Sequence, residues 1–195
     1  MGATGRIRRV GALWIRRVVL AYGHFIEPFW LDISRDNVVT TRLRDGERLR
    51  IVHISDLHVD GANKLLGRLA GEISSLRPDL VIFTGDALNA RLLNAPEGAF
   101  KLLAYHTPDL IEDLKVRPDL YLAGHTHGGQ VRLPRYGALV TMSRFDKKYE
   151  MGRYEIDGTV LYVNRGIGTD GGHLPRIRFM ARPEIAVIDL VGRAP

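Results

Sequence analysis

The chain predicts an α/β fold built from layers of strand and helix. Three features carry this expectation. Short apolar runs alternate with polar turns and with helical periodicity from residue 49 to 124. Every cluster of His and Asp falls at the carboxyl end of one of those runs. Beyond Gln130 strand signals follow one another without helices.

The elements follow in order. Residues 6–31 mix arginines, aliphatics and aromatics as an amphipathic helix would, and Asp45-Gly46 marks a turn. Leu49-Arg-Ile-Val-His-Ile-Ser is a strand rich in β-branched residues that ends at Asp56. Leu65, Leu66, Leu69, Ile73 and Leu76 then recur at helical spacing, and Arg77-Pro78 closes that helix. Asp79-Leu-Val-Ile-Phe-Thr is the next strand and runs into Gly85-Asp86. Leu102-Leu-Ala-Tyr is a short strand ending near His106, Pro108 to Lys115 predicts a helix, and Leu120-Tyr-Leu-Ala predicts a strand ending at Gly124-His125. Further on, Tyr149–Ile156 and Thr159–Val163 flank Asp157-Gly158, a two-residue hairpin signal, and Glu184–Leu190 is a last strand. We divide the chain into a basic amphipathic segment, 1–48, and a single domain, 49–195.

With 195 residues, 45% of them hydrophobic and 26% charged, the composition is that of a globular protein with a sizeable core. The absence of cysteine excludes disulfides, thiolate metal sites and a Cys nucleophile, so any metal must sit on His, Asp, Glu or Asn. The net charge of +6 is concentrated at the start, where Arg6, Arg8, Arg9, Arg16 and Arg17 all precede the first acidic residue, Glu27. No basic run interleaved with aromatics follows, so no nucleic acid is expected as partner. Arg16 and Arg17 interrupt the apolar run, which excludes a membrane-spanning helix, and no small-residue cleavage site follows to make a secretory signal. Two readings of the segment stay open: packing on its own domain, or docking at a membrane surface.

Four clusters carry chemistry: Asp56-Leu57-His58, Gly85-Asp86-Ala-Leu-Asn89, His106, and Gly124-His125-Thr126-His127-Gly128-Gly129. Imidazole with carboxylate suits zinc, manganese or iron, and one Asp can bridge two ions. A pair of such ions is the apparatus of in-line phosphoryl displacement.

His53-Ile-Ser-Asp-Leu-His58, Phe83-Thr-Gly-Asp86 and Ala123-Gly-His-Thr-His-Gly-Gly-Gln130 resemble the calcineurin-like metallophosphoesterases. Tyr162-Val-Asn-Arg-Gly-Ile-Gly168, Pro175-Arg-Ile-Arg-Phe179 and Arg182-Pro-Glu-Ile-Ala-Val-Ile188 are similar to the membrane-associated bacterial phosphodiesterases of that family, some of which act on UDP-2,3-diacylglucosamine. The resemblance implies a four-layered α/β sandwich and two divalent ions. Asp56, His58 and His127 would hold the first, Asp86 would bridge, and His106 with His125 would hold the second. It also implies a Gly-Asn-His-Asp or Gly-Asn-His-Glu segment, which this chain lacks. Twelve residues separate Asn89 from Leu102, as though an internal block were deleted, shortening the sandwich and weakening the second metal site. The function expected is hydrolysis of phosphomonoesters or diesters, on substrates that include lipid-linked ones, in the cytoplasm and at the inner face of the membrane. Two alternatives are a catalytically impaired relic that keeps fold and partial metal binding, and a membrane-surface binding protein acting through the basic N-terminus. Arg132 and Arg165 are weighed as phosphate contacts and read instead as solvated surface arginines.

Overall fold

A computed structural model describes residues 3–57, 64–85, 99–170 and 176–194, with side chains in the first helix from residue 14 onward. In chain order, helix α1 (Ala3–Phe25) leads through a 3-10 turn to β1 (Asp32–Thr40), β2 (Arg48–Ser55), helix α2 (Lys64–Ser75) and β3 (Leu80–Thr84). There follow β4 (Leu102–Ala104), β5 (Leu120–Ala123), the small ribbon β6 (Arg132–Leu133) and β7 (Gly137–Ala138), then β8 (Gly152–Ile156), β9 (Thr159–Val163) and β10 (Glu184–Gly192).

The strands form two four-stranded mixed sheets, ordered β1-β10-β2-β3 and β4-β5-β9-β8. In the first, β1 runs parallel to β10, β10 antiparallel to β2, and β2 parallel to β3. In the second, β4, β5 and β9 are parallel and β8 returns antiparallel to β9.

Side-chain alternation along the strands builds the layers, because a period of two sends successive residues to opposite faces. Ile51, Ala186, Ile188 and Leu190 of the first sheet meet Leu120, Leu122 and Tyr162 of the second, forming the core between the sheets. Their neighbours Val52, Ile54, Ile185 and Val187 point the other way, onto Leu65 and Leu69 of α2. On the outer face of the second sheet Tyr121, Ala123, Leu161 and Val163 are covered by Ile111 and Tyr149. The result is a four-layered α/β sandwich whose fourth layer consists of 3-10 turns and loops. Pro108–Glu112 is accordingly a 3-10 turn, where periodicity predicts a helix to Lys115. Thr107 caps it, accepting from Asp109 N–H at 3.2 Å, and Asp113 ends it with its N–H bonded to Leu110 O.

The predicted strands and hairpin appear in place, with Asp157 and Gly158 both in the left-handed region (φ 47° and 81°) that a type I′ turn needs. β1 was not predicted, and it binds the segment ahead of residue 48 into the first sheet along its whole length. Through residues 14–21 α1 stands clear of the sandwich. Its last turn makes the contacts, with Tyr22 edge-on to Phe179 at 6.2 Å and Gly23 C=O accepting from Arg178 N–H at 2.8 Å. Among the described residues no helix is long and apolar enough to cross a membrane.

Candidate metal centre

β2, β5 and the segment after β4 end at one edge of the sandwich, and there the sheet topology brings Asp56, His106, His125 and His127 together. Asp56 follows the last residue of β2, and its side chain is fully enclosed. Its Oδ2 accepts from the His125 backbone N–H at 3.0 Å and from Ser55 Oγ, which also lies 2.5 Å from Thr84 O at the end of β3. Its Oδ1 is buried and accepts no hydrogen bond. That oxygen faces His106 Nδ1 at 3.6 Å and His127 Nε2 at 3.8 Å.

The rings are oriented in turn. His125 Nε2 lies 3.2 Å from Met142 O, which can only accept, so a neutral His125 carries its proton there and presents Nδ1 as an acceptor. His106 Nε2, 2.9 Å from that Nδ1, is then the donor. The other ring nitrogen of His106, Nδ1, is turned toward Asp56 Oδ1. Three of these four residues also hold left-handed backbone, Asp56 at φ 49°, His125 at 72° and His127 at 51°. Such conformations cost about 1–3 kcal/mol each outside glycine and gather at functional sites.

The calcineurin-like phosphoesterase profile matches residues 49–108, the stretch that runs from β2 past His106. The metallophosphoesterase YkuE of Bacillus subtilis, itself described as uncharacterized, is 34% identical over 159 residues, 81% of this chain and 46% of that one. These matches support one family, the calcineurin-like metallophosphoesterases. Phosphodiesterase YaeI of Escherichia coli is 37% identical over 92 residues, 47% of this chain and 32% of its own length. The UDP-2,3-diacylglucosamine pyrophosphatase LpxG of Chlamydia muridarum is 34% identical over 101 residues, 44% of this chain and 31% of its own. The chain thus spans less than half the length of each of these relatives. No solved structure matches significantly. Calcineurin-like phosphoesterases use divalent metal ions, and metal-dependent hydrolysis of phosphoesters is the chemistry the family suggests.

Among the described residues no three His, Asp or Glu side chains form a finished metal cage. His58 and Asp86 of the expected set, with Asn89 and Asn94, lie outside the described residues. The donors that are described fit a divalent ion in kind: a buried carboxylate oxygen without a hydrogen bond, and beside it two imidazoles.

Arg178 and the segment 164–168 support the site in ways that the sequence reading did not assign. Arg178, fully buried, donates to Gly168 O at 3.0 Å and Ala181 O at 2.7 Å, and its Nη2 also reaches His127 Nδ1 at 3.1 Å and Arg165 O at 2.9 Å. In that contact His127 Nδ1 is the acceptor, so a neutral ring carries its proton on Nε2. For Nε2 to act as a ligand the proton must sit on Nδ1, and Arg178 has carbonyl acceptors enough to release the ring. Burial lowers the Arg178 guanidinium to about 10, so it remains charged at neutral pH. The strand-to-loop segment 164–168 braces Asp56 from below: Ile167 N–H donates to Ser55 O at 2.9 Å and Gly168 N–H to Asp56 O at 2.7 Å. A Cβ at Gly124 would overlap Ser55 Oγ and Asp56 Oδ2, so the approach of β5 to β2 requires glycine there. Arg132 and Arg165 are already paired, the first with Glu150 at 2.7 Å, the second with Asp32 at 2.7 Å and Glu184 at 3.0 Å.

Proposed function

We propose that this chain hydrolyses phosphomonoesters or phosphodiesters at a metal centre, with Asp56, His58 and His127 on one side, Asp86 between, and His106 with His125 on the other. The observation that carries this reading is the buried Oδ1 of Asp56, which lacks a hydrogen bond while two imidazole nitrogens lie 3.6 and 3.8 Å away. Divalent ions such as manganese, zinc or iron would supply Lewis acidity and an activated water near neutral pH.

The chain's own residues do the positioning. Ser55 and the His125 amide fix Oδ2 of Asp56, so that Oδ1 alone is presented to the imidazoles. Met142 O sets the tautomer of His125, whose Nδ1 lies 2.9 Å from His106 Nε2; for His125 to hold a metal, that contact must open so that Nδ1 is free. Arg178 brings a fixed positive charge to the back of His127. The name of LpxG, a UDP-2,3-diacylglucosamine pyrophosphatase, supports a lipid-linked diphosphate as substrate, and such a substrate would be met at a membrane face.

A second reading, a catalytically impaired relic, is favoured by one sequence fact: no Gly-Asn-His occurs in the chain. The asparagine ligand and proton donor expected there are lacking, which weakens the second metal position, and a general acid is worth about 10²–10⁴-fold in rate. Hydrolysis of bis-p-nitrophenyl phosphate by the full chain with added manganese separates the two. Turnover that disappears in Asp56→Asn supports the enzyme; no turnover with any of manganese, zinc or iron supports the relic.

A further inference from the structure

Residues 14–30 place an unusual amount of apolar surface in solvent. Trp14, Ile15, Val18 and Phe25 of α1 are 61, 67, 63 and 70% exposed, and Ile26, Phe29 and Trp30 are 51, 45 and 48% exposed. Both tryptophans of the chain are among them. Solitary exposed apolar residues need no explanation, but a run of this extent marks a surface that meets something.

The charge around this surface is predominantly positive, and the nearby Asp32 is paired with Arg165 at 2.7 Å. Arg16 and Arg17 are exposed beside Trp14 and Ile15, and Arg6, Arg8 and Arg9 precede them with no acidic residue in the helix. The first acid, Glu27, is turned inward, 1% exposed, and accepts from Ala181 N–H at 2.7 Å. At the other end Arg182 stacks on Trp30, its guanidinium carbon 3.6 Å from the ring centroid. Aromatics and aliphatics to enter a boundary, with arginines beside them to meet anions, are the complement of an anionic headgroup layer. On the helix Trp14, Ile15, Val18 and Phe25 share one face while Arg16 and Arg17 lie behind and beside it, the apolar side and cationic flank that a helix lying in an anionic headgroup layer presents.

We propose that α1 and the turn at 26–30 form a docking surface for an anionic lipid bilayer, with the helix lying along the headgroup layer. This rests on the membrane-face part of the proposed function and names the residues that perform it. Docking requires no turnover, so it stands or falls separately from hydrolysis.

The test is co-sedimentation of the full chain with phosphatidylcholine vesicles, with and without phosphatidylglycerol, while tryptophan emission is followed. Expected are pelleting that depends on the anionic lipid and declines with salt, a blue shift of emission, and quenching by brominated acyl chains. Arg16→Ala with Arg17→Ala should lower the partition coefficient about fivefold per arginine. Trp14→Ala with Ile15→Ala should weaken it further, and Asp56→Asn should dock like the parent chain. Because the altered helix side chains are exposed, the fold does not depend on them. Equal pelleting with both vesicle types, pelleting with neither, or unchanged partition in the arginine variant would overturn the proposal. So would a vesicle-free dimer that shields both tryptophans, which would assign the surface to a second copy of the chain.

Discussion

Asp56 combines two features that oppose folding, a left-handed backbone at φ 49° and a buried carboxylate oxygen that accepts no hydrogen bond. A buried acceptor left unsatisfied costs about 1–3 kcal/mol. We therefore predict that Asp56→Asn, compared with the parent chain after chelation, unfolds at an equal or higher urea concentration. A clearly lower midpoint would mean that the carboxylate serves the fold. His53 behaves differently. It is fully buried between the sheets, its Nε2 lies 2.8 Å from Thr84 Oγ1, and burial lowers it from 6.5 to about 4. The unfolded chain therefore binds a proton below about pH 6.5 that the native state refuses until about pH 4. Stability is thus complete above pH 6.5 and falls as the pH drops toward 4, by up to about 3 kcal/mol. Urea midpoints at pH 7.5 and 5 measure the loss, and His53→Gln should flatten it. At this scale the sequence displays what lies within one motif: Asp56, His125 and His127 could be singled out from their neighbours. Arg178 could not, because its contact with His127 spans 51 residues and nothing local distinguishes a buried arginine from a surface one.

Elements with one dominant period were legible before the structure. β2 carries Ile51, Val52 and Ile54 in its buried half, α2 repeats leucines every three or four residues, and Asp157-Gly158 names its own turn. β1 was missed because Asp32, Arg35, Asp36 and Asn37 give it a polar surface, and only its pairing with β10 makes it a strand. The helix expected after Pro108 shrinks to a 3-10 turn, and the Ile111 carbonyl that a further helical turn would use accepts from the Arg117 side chain instead. Two predictions belong here. Gly166 sits at φ 72° against Asp56, where a Cβ would come within 2.7 Å of the Asp56 Cβ. Gly166→Ala should cost at least about 2 kcal/mol, read from urea denaturation, and should also lower metal retention by displacing Asp56. At the edge of the first sheet, β3 exposes Leu80, Val81 and Phe83 at 41, 46 and 42%. An apolar edge strand invites pairing with another chain, so Val81→Lys should reduce concentration-dependent light scattering while leaving the fold unchanged.

For the molecule as a whole, two sheets packed face to face deliver strand ends from distant parts of the sequence to one edge, and the candidate ligands gather there. Opposite in character is the N-terminal surface, where α1 holds to the sandwich through Tyr22 and Gly23 and Gly23 in turn contacts Arg178, the residue behind His127. The layered architecture and the order of the motifs were legible in the sequence. The backbone strain at three site residues and the route from α1 to His127 were not, since both arise only when the chain closes on itself. The measurement that bears most directly on the central claim is the metal content of the full chain by elemental analysis, without added metal, beside Asp56→Asn. Our account predicts at least one manganese, zinc or iron per chain in the parent protein and a loss of most of it in Asp56→Asn. Equal content in both proteins, or none in the parent even after incubation with each metal, would contradict it.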